Sequence, residues 1–396
     1  MTWPVKKLSD ICSNIFAGGD VPKDRLSKFK TNEFSIPVFA NGEKNKGLYG
    51  FTDIARVVEP SITVSARGTI GYSEIRDEPF LPVVRLIVLT PNHDVVDLHY
   101  LKYVIKSMDF INSGSSIPQL TVPMIKNYCC GIPTIPEQKR IVAILDQAFA
   151  DIEQARAKTE QNLKNARELF ESYLQQVFSQ RGEGWKTSKL KLITSKIGSG
   201  ATPRGGKASY KDEGIPLVRS MNVHDRYFKE KGMAFIDEQQ AEKLSNVIVE
   251  CGDVLLNITG ASVARCCIAP DRVLPARVNQ HVSIIRVDQK ELSPNFLNFI
   301  LTSKFYKDQL LGIGEAGSTR QAITKTQIEE FKVDYPSSLQ EQTKLLESLH
   351  LLEDQAKSVQ KIYTDKLLVL DELKQSILQK AFTGELTKTK RKGVAA

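Results

Sequence analysis

Two stretches of this chain, Thr134 to Phe178 and Ser338 to Phe382, correspond without a gap at a constant spacing of 204 residues. A helix with a fixed packing register requires that, and self-similarity at so long a period implies a duplicated architecture. Matching segments also precede each stretch. Trp3 to Leu8 recurs as Trp185 to Leu190, Gly19-Asp-Val-Pro22 as Gly200-Ala-Thr-Pro203, and Leu81-Pro82 as Leu274-Pro275. Tyr100 to Ser107 recurs as Phe296 to Ser303, and Ser116-x-x-Gln119 as Ser318-x-x-Gln321. The spacing rises from 182 at the tryptophans to 202 at the last pair, so insertions accumulate ahead of the helix and never within it.

Each long stretch opens on the S/T-x-x-E pattern of a capping box, Thr134 to Glu137 and Ser338 to Glu341. In the first, Ile141, Leu145, Ala148, Ile152, Ala155, Thr159, Asn162, Ala166, Leu169 and Tyr173 step by alternating fours and threes in a heptad seam. Leu345, Leu349, Leu352, Leu370, Leu373 and Ile377 repeat it in the same phase. A rod of about 66 Å outgrows a small domain, so the two helices are expected to pair as an antiparallel coiled coil. Packing of each helix on its own domain is the alternative. Short β-branched runs, Ile62–Val64, Val83–Leu89, Val254–Leu256 and Val282–Val287, read as strands, with helices near 98–107 and 294–306.

The expected fold is α+β, with two mixed α/β domains in tandem, two long helices and a pseudo-twofold internal repeat. The domains are 1–133 and 182–337, the helices 134–181 and 338–384, and 385–396 is a basic, disordered tail. Glycines at 182 and 184 mark the boundary between the halves.

At 396 residues, 41% hydrophobic and 25% charged, the composition is that of a multidomain globular protein, and no apolar run approaches the roughly 20 residues of a membrane span. The N-terminal residues lack the apolar core of a secretory signal, so a cytoplasmic protein is expected. Six cysteines without CxxC spacing read as reduced thiols, not as a metal site. A formal charge of +8 favours a polyanionic partner without requiring one.

Catalytic patterns fail in turn. Gly198 to Lys207 resembles a phosphate loop but lacks the Gly-Lys-Ser/Thr ending, and Pro203 stands where a dinucleotide fingerprint needs glycine. Glu137-Gln-Lys139 has a nuclease-like spacing, but its repeat partner is Glu341-Gln-Thr343. The five histidines are scattered, and the Asn/Asp-Pro-Pro-aromatic element of amino-methylating enzymes is missing.

The duplicated Trp-x-x-x-x-Leu openings, the Gly-Ala-Thr-Pro segment with its weaker partner, the paired Ser-x-x-Gln segments and the Pro-x-x-x-Glu-Gln helix starts together resemble the specificity subunits of type I restriction-modification systems. The resemblance spans nearly the whole chain. It implies a non-catalytic subunit whose two target recognition domains each read one half of an asymmetric, bipartite site on double-stranded DNA. The helices would dock two methyltransferase subunits and hold the half-sites about one helical turn, roughly 34 Å, apart. No cofactor is implied on this chain. S-adenosylmethionine belongs to the methyltransferase, and ATP and Mg to the restriction subunits.

Arginine forks suit guanine, and Asn or Gln suit adenine. Candidates for reading bases are Arg67, Arg85, Ser116 and Gln119 in the first domain. In the second they are Arg204, Arg219, Asn222, Thr259, Asn279, Gln280, Ser318, Arg320 and Gln321. Lys23, Lys44, Lys46, Lys207 and Lys211 are candidate phosphate contacts. A coiled-coil scaffold without sequence preference and a metal-dependent nuclease are the competing readings.

Overall fold

The structure is a computed structural model and describes residues 3–110, 119–179, 182–315 and 321–387. Two long helices dominate the secondary structure, the first Ile135–Ser179 and the second Leu339–Phe382. Compactness divides the chain differently from its sequence blocks, because each helix contributes one end to each of two units. Unit 1 comprises Met1–Glu160 and Asp365–Ala396, and unit 2 Gln161–Thr364.

The same strand order recurs in both. In unit 1 a four-stranded antiparallel sheet runs Cys12–Ala17, Ile87–Pro91, Ser61–Val64, Ser73–Arg76. Its counterpart in unit 2 runs Thr194–Ser199, Val282–Val287, Val254–Asn257, Cys266–Ile268. The central strands are almost wholly buried, which suits their β-branched composition. A second sheet accompanies it in each unit, three-stranded in unit 1 and four-stranded in unit 2, with Ile36–Phe39 parallel to Leu81–Pro82 and Ile215–Val218 parallel to Ala276–Val278. The apolar run at Val83–Leu89 is not one strand. Val84 and Arg85 both take positive φ, 53° and 61°, so the chain turns there before the strand at Ile87.

The helices pair antiparallel within each unit. In unit 1, Lys374 bonds Glu153 at 2.8 Å and Arg156 bonds Asp371. In unit 2, Arg167 reaches Gln360 at 3.4 Å. Ile141, Leu145, Ile152, Leu349 and Leu370 are buried along the seam, while Tyr173, Leu345, Leu352 and Ile377 are half-buried. Leu169 and Leu373 are not in it, being 73% and 44% exposed. A straight helix drifts by about 20° per heptad against a strict seven-residue repeat, hence about 80° between Ile141 and Leu169. The buried stripe accordingly moves to Phe170, Leu174 and Phe178, and to Leu378 and Ala381 in the second copy. These side chains pack into the domain cores as well as against the partner helix.

What secures each helix start is a glutamine, not a capping box. Neither Thr134 nor Ser338 caps its helix through its hydroxyl, and Glu137 lies 3.9 Å from Arg140. Gln138 and Gln342, 204 residues apart, are instead fully buried. Gln138 Nε2 donates to the carbonyls of Pro133 and Val95 at 2.8 and 3.0 Å, and its Oε1 accepts from the Asp97 N–H at 2.7 Å. Gln342 repeats the set, donating to Pro336 and Glu291 at 2.9 and 3.0 Å and accepting from Ser293 at 2.8 Å. Each glutamine thus joins its long helix to the loop that starts the domain helix, Leu98–Ser107 or Pro294–Thr302.

Among the described residues, unit 2 carries additions, including a helix, Lys304–Glu315, and a hairpin. The hairpin, of Val223–His224 and Tyr227–Phe228, places Arg226, at φ 58°, against both long helices. Its guanidinium donates to Glu353 at 2.7 Å, Thr302 at 3.1 Å and Glu171 at 3.4 Å, and lies over the rings of Phe170 and Phe299.

Among the described residues, no helix is long and apolar enough to cross a membrane. Two predictions follow from the packing. Gln138→Ala orphans buried backbone groups and costs about 2–4 kcal/mol. Hydrogen–deuterium exchange should accelerate around residues 93–100 and 133–142 while unit 2 is unchanged, with the mirror result for Gln342→Ala. Leu169→Lys should leave the denaturation midpoint nearly unmoved, within about 0.5 kcal/mol, whereas Phe170→Ala should cost about 3–5 kcal/mol.

Candidate nucleic-acid interface

The strands Ser61–Val64 and Val254–Asn257 each end in a loop held by the same backbone bonds. In unit 1 the Ser65 N–H donates to Tyr72 at 2.8 Å, Gly71 to Ser65 at 3.0 Å and Leu120 to Ala66 at 2.9 Å. In unit 2 Asn257 donates to Arg265 at 2.8 Å, Ala264 to Asn257 at 2.9 Å and Ile323 to Ile258 at 2.8 Å. Ser65 therefore matches Asn257, and Tyr72 matches Arg265, with one extra residue in the second loop. Gly68 and Gly260 both take positive φ, 70° and 74°.

In unit 1 the organiser is Asn41. Its Nδ2 donates to the Val84 carbonyl at 2.6 Å and its Oδ1 accepts from the Ala66 N–H at 2.7 Å, while the Gly42 N–H donates to Ser65 Oγ at 3.1 Å. Those bonds bring the Arg67 loop and the Val84–Arg85 turn to one edge, where both arginines are exposed. Arg67 donates to Gln119 Oε1 at 2.9 Å. The adjoining turn carries exposed Lys44 and Lys46, and Arg76 bonds the Lys46 carbonyl while stacking 3.6 Å from the Phe39 ring. Burial lowers the Arg76 pKa, with Glu74 opposing. Burial raises that of Tyr72 to about 12, helped by the hydrogen bond its hydroxyl donates to Glu74.

In unit 2 the loop borders a cleft of about 450 Å³ between Ser220–Met221 and Thr259–Ser262, with Arg265 and His281 in its wall. Asn257 Nδ2 holds one side by donating to the Ser220 and Val223 carbonyls at 2.9 and 3.3 Å. Thr259 Oγ1 and His281 Nδ1 share a hydrogen bond of 2.5 Å. Thr202 bonds the exposed Gln280, and the Gly260 N–H donates to the Gln321 carbonyl at 3.0 Å.

Thr259, Gln280 and Gln321 thus gather around this cleft, but Asn222 and Asn279 do not read outward. Both are buried. Asn222 accepts from the Arg219 N–H at 3.0 Å and donates to Lys229 at 2.8 Å, and Asn279 accepts from the His281 N–H at 3.0 Å. Their amides satisfy backbone groups that would otherwise be orphaned. Arg219 bonds the Gly232 carbonyl and lies 5.2 Å from the Tyr210 ring centroid, a brace within the domain. Arg204, Lys23 and Lys207 are exposed, whereas Lys211 is paired with Asp237 at 3.3 Å. Ser116, Ser318 and Arg320 lie outside the described residues.

The match of Gln119 to Gln321 also shifts. Leu120 and Ile323 make the equivalent backbone bonds and Thr121 and Thr324 the equivalent helix caps, so Gln119 corresponds to Ala322. Asn41 and Arg265 escape sequence reasoning. Asn41-Gly42 reads as a turn signal, and nothing local distinguishes Arg265 from other arginines.

The fold and its loops have counterparts elsewhere. S.MpnORF89P of Mycoplasma pneumoniae, provisionally named a type I specificity subunit, is 38% identical over 144 residues, 36% of this chain and 42% of that protein. The EcoKI specificity subunit of Escherichia coli (strain K12) is 22% identical over 303 residues, 70% of this chain and 62% of that protein. This chain therefore spans less than two thirds of the length of either relative. The HsdS subunit from Thermoanaerobacter tengcongensis shares the fold, with a TM-score of 0.62 at 18% identity over 97% of both chains. A chain from a structure addressing complex assembly and conformational transition of the type I R-M system gives 0.76, also at 18% identity, over 97% of this chain and 98% of that one. Residues 1–163 and 182–364, which contain both copies of the sheet and both loop clusters, match the family described as the type I restriction modification DNA specificity domain, and it is to this family that the chain belongs.

Proposed function

We propose that this chain is the non-catalytic DNA-reading subunit of a type I restriction-modification complex, each recognition domain reading one half of a bipartite target. The observation that carries this reading is the pair of loop clusters built on one backbone pattern with unlike side chains. Arg67, Arg85 and Gln119 stand at the edge in unit 1, against Thr259, Arg265, Gln280 and His281 in unit 2. Equivalent backbones position both readers alike, while unlike side chains present unlike donors and acceptors to the groove. The two half-sites therefore differ in sequence. Exposed Lys23, Lys44, Lys46 and Lys207 supply phosphate contacts whose contribution falls as salt rises.

The methyltransferase and restriction subunits are the proposed protein partners. Leu351, Ile362, Leu368 and Val369 are exposed on the second long helix, and apolar side chains on a charged helix surface suit docking of such subunits. S-adenosylmethionine belongs to the methyltransferase and ATP with Mg to the restriction subunit in this assignment. This chain's part is to place the target adenine.

The test is to co-express the chain with the methyltransferase of its system and map methylated adenines by single-molecule sequencing. A split, asymmetric motif that disappears without this chain is expected. Methylation independent of the chain, or a continuous palindrome, would return it to the scaffold reading. Asn41→Ala, which frees the Arg67 loop from the Val84 turn, should lower methylation of the mapped site at least tenfold through the first half-site alone. Equal losses on substrates with either half scrambled would contradict that assignment.

A further inference from the structure

We infer that the unit 2 cleft is a guanine-reading pocket, with Arg265 as the residue that specifies the base. The inference rests on the DNA-reading proposal and names the chemistry of one of its sites. Arg265 is half-buried, yet its guanidinium has no hydrogen-bond or ion-pair partner among the described residues. The half-buried or buried arginines nearby in unit 2 are all engaged. Arg219 bonds Gly232, Arg226 bonds Glu353, Arg277 bonds Ala241, and Arg286 bonds Asp253 at 2.8 Å. A partly desolvated cation without a partner is unfavourable on its own, and the free fork is what an incoming pair of acceptors would satisfy.

The cleft decides which acceptors those are. Among the described residues no carboxylate lines it, so none of them competes within it for the guanidinium. Among the described residues Arg265 is also its only arginine or lysine, and the rest of the wall is Ser220, Met221, Thr259, Gly260, Ala261, Ser262 and His281. A phosphate would favour several cations or converging backbone N–H groups. One arginine fork beside hydroxyls and a thioether fits the edge of a base, with its two acceptors in line and its apolar face. Guanine presents O6 and N7 to such a fork in the major groove. The Thr259–His281 bond and the Asn257 amide fix the surrounding wall without using the arginine. The equivalent position in unit 1 is Tyr72, whose hydroxyl is committed to Glu74, so this reader belongs to the second domain alone.

The experiment uses the full chain in complex with its methyltransferase. Methylation rates are measured on duplexes carrying the mapped motif and every single-base variant of it, with wild type, Arg265→Ala and Arg265→Lys. Wild type should require guanine, on one strand or the other, at a position in one half-site. Arg265→Ala should reduce discrimination there by about tenfold to a hundredfold while the other half-site is read as before. Arg265→Lys keeps the charge but lacks the fork, so it should retain affinity and still relax that position. Intact reading of the other half-site by both variants shows that they fold. Three results overturn the inference: a half-site pair in which no required position is a guanine on either strand, unchanged discrimination in both variants, or a uniform loss across all duplexes with a salt dependence weaker by about one phosphate contact. A wild-type complex with no motif at all sinks the DNA-reading proposal, and this one with it.

Discussion

Everything built on this chain depends on two buried glutamines. A long helix has no intrinsic reason to start at one angle against a domain, since its apolar stripe tolerates small rotations and slides. Gln138 and Gln342 remove that freedom by bonding, through one side chain each, to three backbone groups from two segments. A primary amide has both donor and acceptor in one plane, so it can close such a junction where the neighbouring carboxylates, which only accept, cannot. Because both copies use the same residue with the same partners, the geometry at one end of the repeat is reproduced at the other.

On that repeated frame, constant and variable chemistry are separated by depth. Strand order, backbone bonds and glutamine junctions coincide in the two units, and these lie mostly in buried layers. The loops at the ends of Ser61–Val64 and Val254–Asn257 keep their closing bonds and change what they display. Asn41 ties the loops of one unit together through its side chain, and Asn257 does the corresponding work in the other from a different strand. Equivalent shape is therefore reached with unlike residues, which allows the two faces to diverge without altering the core.

How far the molecule can be read from its sequence follows the same division. The duplication, the long helices and the central strands at 61–64, 254–257 and 282–287 are legible, because periodic burial leaves a periodic trace. The seam is legible up to Ile152 and fails at Leu169, where a strict heptad count outruns the true pitch of the helix. The helix starts at Ile135 and Leu339 fall where the sequence puts them, but what holds them is misread, because a capping box is a local pattern whereas the bonds of Gln138 reach Val95 and Asp97 some 40 residues away. Asn222 and Asn279 fail for a related reason. An asparagine that feeds a turn and one that reads a base look identical until their partners are known.

Arg226 has a consequence of a different kind. It occupies a left-handed conformation that a glycine would adopt freely, and its guanidinium is held by Glu171 of one long helix and Glu353 of the other. The turn Ser220–Asn222, one wall of the cleft, leads directly into the hairpin that carries it. The arginine is in effect a tie rod: within unit 2, the cleft wall is strung to the helix pair by a short, stiff path of charged hydrogen bonds. Load applied to those helix segments reaches the wall mechanically, without a change in any residue that lines it.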